Sequence, residues 1–271
     1  MTRASEPGPL FETASDSEAN AQAAAAAAPD VERGDSALLH TVDSALHEPL
    51  YQLLCSIADN KYVLGRRYAE WCTGAPMLES AVAAAAMAQD ELGHARSFYP
   101  LLRAFPMDRG TAAMEERGWQ TRRTSAMACL DQPFRSWADY TAANLLVDTA
   151  LTTLLGAATA STYEPLRQRA RKILQEETTH WVHATGWLRR LADAQEAVAS
   201  MWDDAFTWFG KDDDPCVKTL AAAKLLDANP DQLRVRMRER LEPVISSAEL
   251  LERPLPWERW DAAARRLRAA A

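Results

Sequence analysis

Two Glu-x-x-His segments are the first place in this sequence to look for chemistry: Glu91-Leu92-Gly93-His94 and Glu177-Thr178-Thr179-His180. On a helix, residues i and i+3 project from one face, so a carboxylate oxygen and an imidazole nitrogen can meet one ion. One such pair is a weak signal. Two of them take in two of only five histidines. A di-metal carboxylate bundle needs an acid on each of two further helices. Asp59 stands 32 residues before Glu91, and Asp148 stands 29 residues before Glu177. Spacings near 30 are what an up-and-down helix pair imposes on residues at one height. The expected ligand set is therefore Asp59, Glu91, His94, Asp148, Glu177 and His180, with Glu91 and Glu177 bridging. Asp148 interrupts the apolar run Leu145-Leu146-Val147, where a lone buried charge costs several kcal/mol (~2–7 for a polar group without a partner) and so demands a cation. Asp90 is expected to accept a hydrogen bond from a ligating imidazole. His183, one turn beyond His180, is read as a core histidine behind the ligands.

The elements that must position these residues are helices. Apolar residues recur at three- and four-residue steps from about Ser36 to Trp71, with Pro49 a candidate kink. Thr73-Gly74-Ala75-Pro76 stops that run, and a second helix is expected over 77–104. Residues 105–135 read as a long connection of the kind that crosses a bundle end or lies over a site. A third helix is expected over 136–161 and a fourth over 162–193. Shorter helices follow, at 216–227 and 229–241, before an end rich in Pro and Trp. Residues 1–35, rich in Ala, Ser and acids, are expected to be a disordered tail, leaving 36–271 as one domain. Nothing alternates as a strand does. The reading is an all-α, ferritin-like four-helix bundle with additional short C-terminal helices.

Composition removes other classes. The 271 residues carry 30 Lys+Arg against 38 Asp+Glu, a formal charge of −8. Nucleic acid is therefore not the expected partner. No stretch of about 18 apolar residues could span a membrane. The four cysteines form no Cys-x-x-Cys, so neither a zinc ribbon nor an iron–sulfur cluster fits. The expected compartment is the cytoplasm, with reduced thiols.

In combination these motifs resemble the phenylacetate-catabolic ferritin-like family, the A-type and C-type subunits of phenylacetyl-CoA epoxidase. Ala58-Asp59-Asn60, Leu64-Gly65, Glu70-Trp71-Cys72 and Ala75-Pro76 look like the C-type. Gln89-Asp90-Glu91-Leu92-Gly93-His94, Leu146-Val147-Asp148 and Glu176-Glu177-Thr178-Thr179-His180 are similar to the A-type. The resemblance implies that an A-type chain holds the metals and a C-type chain, lacking ligands, is a scaffold. Hard carboxylates with imidazole suit two Fe ions, or Mn. The implied activity is a non-haem di-iron monooxygenase that epoxidises or hydroxylates an activated aromatic or acyl substrate, such as a CoA thioester. No flavin or nicotinamide fingerprint appears, so electrons would come from a separate reductase, and assembly as a homo- or hetero-oligomer is expected. Two alternatives stand beside it. One is a non-catalytic scaffold role in such a complex, favoured by the C-type first helix and by Lys61 beside the proposed site. The other is a ferroxidase or iron-binding protein.

Overall fold

The computed structural model describes residues 38–107, 125–245 and 247–268. The expected tail over 1–35, and most of the expected connection over 105–135, lie outside the described residues. Helix α1 spans His47–Ala69 and α2 spans Leu78–Arg103. Helix α3 spans Trp137–Ala157, α4 Glu164–Glu176, α5 Thr178–Leu188 and α6 Ala194–Thr207. Shorter helices follow: α7 Pro215–Ala222, α8 Pro230–Leu241 and α9 Ala248–Leu251. The architecture is an all-α bundle of the ferritin-like kind. Among the described residues, the only strands form a two-residue antiparallel ladder near the end, Trp260–Asp261 (β1) with Arg266–Leu267 (β2).

Helix α3 is the axis of the molecule. Its sequence is apolar on every side, which places a helix in a core rather than at a surface. All of its residues except Thr153 and Gly156 are buried. Ser136 caps its start by accepting a hydrogen bond from the Asp139 N–H. Helices α5 and α6 pack along it, and α1 and α2 form a tight antiparallel pair. Helix α6 is a finding in itself, because the sequence pattern predicts no helix between residue 193 and residue 216.

Several expected boundaries move. Helix α1 begins at His47 behind a 3-10 turn over Ser44–Leu46, not near Ser36. Pro49 lies in its first turn, where a missing N–H costs nothing, so no kink results. The third helix stops at Ala157. The fourth is interrupted at Glu177, whose ψ of −12° is flatter than the roughly −42° of an α-helix. Two β-branched residues, Thr178 and Thr179, follow immediately, and such residues are poor at continuing a helix. The seventh helix ends at Ala222, two residues before Lys224 adopts a left-handed φ of 61°.

Gly65 sets the distance between α1 and α2. A Cβ there would lie 2.9 Å from the Glu91 Cβ and 3.1 Å from the Ala88 carbonyl oxygen. Backbone cannot yield as a side-chain tip can, so overpacking of about 1–3 kcal/mol outweighs the gain of about 1 kcal/mol from helix propensity. Gly65→Ala should therefore lower the urea midpoint. Gly93 is also in α2 but meets nothing within 4 Å. Gly93→Ala should raise the midpoint by the equivalent of about 0.5–1 kcal/mol.

Candidate metal centre

Four of the residues expected to bind metal converge. One donor atom from each of Glu91, Asp148, Glu177 and His180 falls within 4.8 Å of the others, and all four side chains are buried. They arrive from α2, α3, the α4–α5 break and α5. The His180 Nδ1 lies 2.9 Å from Asp148 Oδ2, 3.1 Å from Glu177 Oε2 and 3.3 Å from Glu91 Oε1.

The fourth wall belongs to Lys61 of α1. Its Nζ, completely buried, donates to Glu91 Oε1 and Asp148 Oδ1 at 2.9 Å each, and to Glu177 Oε1. This differs from the sequence expectation, which put Asp59 here. Residues two apart on a helix point to nearly opposite sides, because each step turns the chain by about 100°. With Lys61 facing the cluster, Asp59 cannot. The Asp59 carboxylate instead accepts the Ser125 N–H at 3.1 Å. Beside it, Asn60 accepts the Met127 N–H at 2.9 Å. Asp59 and Asn60 thus hold the returning connection against α1. Spacing carried the signal that was missed: Lys61 precedes Glu91 by 30 residues, closer than Asp59 to the 29 that separate Asp148 and Glu177.

The other expected residues surround this centre. His94 does not point its Nε2 inward. That atom lies 2.7 Å from Glu176 Oε2, while Nδ1 lies 3.3 Å from Glu177 Oε1. Asp90 stands 3.4 Å from His180 Nε2. The two motifs are therefore cross-braced, because the acid preceding each central glutamate faces the histidine of the other motif. The sequence pattern singles out Asp90 but not its counterpart Glu176. His183 places Nδ1 3.4 Å from Asn144 Oδ1. Burial, with the nearby His180 charge, pushes its imidazole down to about 4.

Electrostatics follow from this packing. Burial alone would push the Lys61 ammonium down, but Asp148, Glu177 and Glu91 together hold it well above the usual lysine range. Burial pulls Glu177 up, and Lys61 with hydrogen bonds from His180 and His94 overcomes it, leaving the carboxyl well below its usual range. Glu91 goes the other way: burial lifts it to about 7, with Lys61 only partly offsetting. His180 would be lowered by burial, yet its bonds to Asp148, Glu177 and Glu91 raise it far above an ordinary histidine. Three carboxylates thus face two cations supplied by the chain itself. Helix α8 adds a third at the rim, where the Arg240 guanidinium lies 4.5 Å from the centre of the Trp181 ring.

A two-iron centre does not fit these residues as arranged. Such a site needs four inward carboxylates, and the fourth position carries an ammonium group. The oxygens that would bridge two ions already accept hydrogen bonds from Lys61. Two added divalent ions would sit within a few Å of a buried positive charge.

The fold and the buried cluster define the class as a ferritin-like helical bundle with a carboxylate–histidine core. The chain belongs to the family described as "Phenylacetic acid catabolic protein", whose family model matches residues 40–266. Among its relatives is the C-type subunit of the 1,2-phenylacetyl-CoA epoxidase of Escherichia coli (strain K12). That protein is 27% identical, and the match covers 75% of this chain and 96% of the relative.

Removing the ammonium while keeping the carboxylates tests the electrostatic assignment. Lys61→Met should cost about 3–5 kcal/mol in urea unfolding near pH 8, the usual loss when one partner of a buried charge cluster is removed. The deficit relative to wild type should shrink as pH falls towards 5.5. Without Lys61, the buried carboxyls hold folded-state pKa values above their unfolded ones, so protonation then favours the folded chain. A deficit that stays constant with pH would contradict this assignment.

Proposed function

We propose that this chain is a structural component of an oxygenase assembly of the phenylacetyl-CoA epoxidase kind, and that it does not activate O₂ itself. The observation that carries the reading is Lys61. An internal ammonium group takes the place and the charge of metal in the bundle core, so the helices are tied together by protein groups alone. The likeness to a C-type epoxidase chain supports the same reading from outside the site. In this proposal the two-iron chemistry, the aromatic CoA thioester substrate and the electrons from a separate reductase belong to partner chains. This chain's own residues do three things. Lys61 neutralises the buried carboxylates. The Asp90–His180 and His94–Glu176 pairs brace α2 against the α4–α5 break. Asp59 and Asn60 hold the connection that returns to α3.

A second reading, that the chain is itself the di-iron oxygenase or a ferroxidase, has one observation in its favour. Glu91, His94, Asp148, Glu177 and His180 are all retained and grouped. It requires Lys61 to leave the cluster. Metal analysis of protein from iron-supplemented cells separates the two readings. The structural role expects far less than one iron per chain in the wild type. It also expects a gain in Lys61→Glu, where a carboxylate replaces the ammonium. A wild-type content of about two irons per chain, the complement of a di-iron bundle, would establish the second reading instead.

A further inference from the structure

Residues 257–268 carry arginines that the Lys61 cluster does not use. The segment is a 3-10 turn, Trp257–Arg259, followed by the β1–β2 hairpin. Arg259 closes it on itself by donating to the Arg268 carbonyl at 2.9 and 3.1 Å. Arg265 and Arg266 reach into the body of the protein instead. Arg265 donates to Asp214 Oδ1 at 3.1 Å, in an ion pair shut off from solvent, and to the Trp208 carbonyl at 3.0 Å. Its φ of 51° is left-handed, which is uncommon for a residue with a Cβ and persists where the surroundings impose it. Arg266 pairs with the Asp131 carboxylate.

Both contacts continue to α1. The Trp208 indole N–H donates to Ser56 Oγ at 2.7 Å. The Asp131 carbonyl accepts from Arg67 at 2.9 Å, and the neighbouring Leu130 carbonyl accepts from the same guanidinium at 3.0 Å. Ser56 and Arg67 are eleven residues apart. At 1.5 Å and 100° per residue they stand about 16 Å apart along the helix and within about 20° of one face. Lys61 lies between them in height, turned about 120–140° away. The hairpin therefore reaches α1 by two routes, through the end of α6 and through the returning connection, at two points that bracket Lys61. One contact would leave a helix free to swing about it, whereas two on one face fix both tilt and rotation. We infer that residues 257–268 are a strap that fastens α1 from the side away from the cluster and thereby sets the direction in which Lys61 enters it. The buried Arg265–Asp214 pair anchors the strap, since breaking such a pair leaves an uncompensated buried charge.

Thermodynamic coupling in the full-length chain tests this. Lys61 and Arg266 have no partner in common, and substitutions at such separated sites add to within about twofold in the folded-to-unfolded ratio. If the strap positions Lys61, the lysine contributes less once the strap is loosened. In urea unfolding, the loss caused by Lys61→Met should then be about fivefold to tenfold smaller in an Arg266→Met background than in the wild type, as for coupled residues. Additivity would overturn the inference. The ¹⁵N resonance of the Lys61 ammonium group gives a second readout that does not need a double variant. Trp208→Phe cuts one route and Arg67→Gln the other, and neither alters the strap or the cluster. Each should shift that resonance, because the ammonium group moves relative to Glu91, Asp148 and Glu177. A resonance unmoved in both variants would also overturn it. The inference rests on the reading that Lys61 closes the cluster. Iron found in the chain would count against that reading, whereas additivity in an iron-free chain would count against the strap alone.

Discussion

The rest of the structure depends on one buried ammonium group. Lys61 lies among Glu91, Asp148 and Glu177, with none of its side chain reaching solvent. Three carboxylates packed this closely would repel one another and would lose their hydration on burial. Neither α2, α3 nor the α4–α5 break could bring its acid inward without a cation at the centre. A bare ammonium would be equally costly to bury. Each side of the cluster is tolerable only because of the other, so the four helical segments that supply these residues are held at fixed relative heights.

An approximate internal two-fold gives this arrangement its meaning. Glu91 and His94 on one side correspond to Glu177 and His180 on the other, and the outer braces Asp90 and Glu176 follow the same relation. By spacing, Lys61 stands where Asp148 stands in the other half. The symmetry is broken at one position, in the sign of the charge. A carboxylate at that position would complete the acid count of a two-metal site, whereas the lysine supplies from the chain the positive charge that metal would otherwise bring. In this arrangement the acids neutralise Lys61 and the histidines brace the helices.

Much of this was legible in the sequence, and the rest was hidden for identifiable reasons. The two Glu-x-x-His pairs and Asp148 stood out because charged residues in apolar helical text need partners. The all-α bundle followed from periodicity. The choice between Asp59 and Lys61 turned on helix phase, which a pattern interrupted by Asp59-Asn60-Lys61 does not settle. His94 turning to Glu176 was hidden because a side-chain rotation leaves no trace in spacing. The break at Glu177 was obscured because the apolar period continues through it.

The central claim concerns a protonated, buried lysine, and nuclear magnetic resonance of the wild-type chain labelled with ¹⁵N in its lysines observes that group directly. Exposed ammonium groups exchange protons with water rapidly and deprotonate near their ordinary pKa of about 10.4. A lysine that closes the core should give one ammonium resonance that exchanges slowly and remains protonated at pH values where the other lysines have titrated. That resonance should be absent from the spectrum of Lys61→Met. If no lysine is protected in this way, or if the protected signal survives in Lys61→Met, then Lys61 does not hold this bundle together.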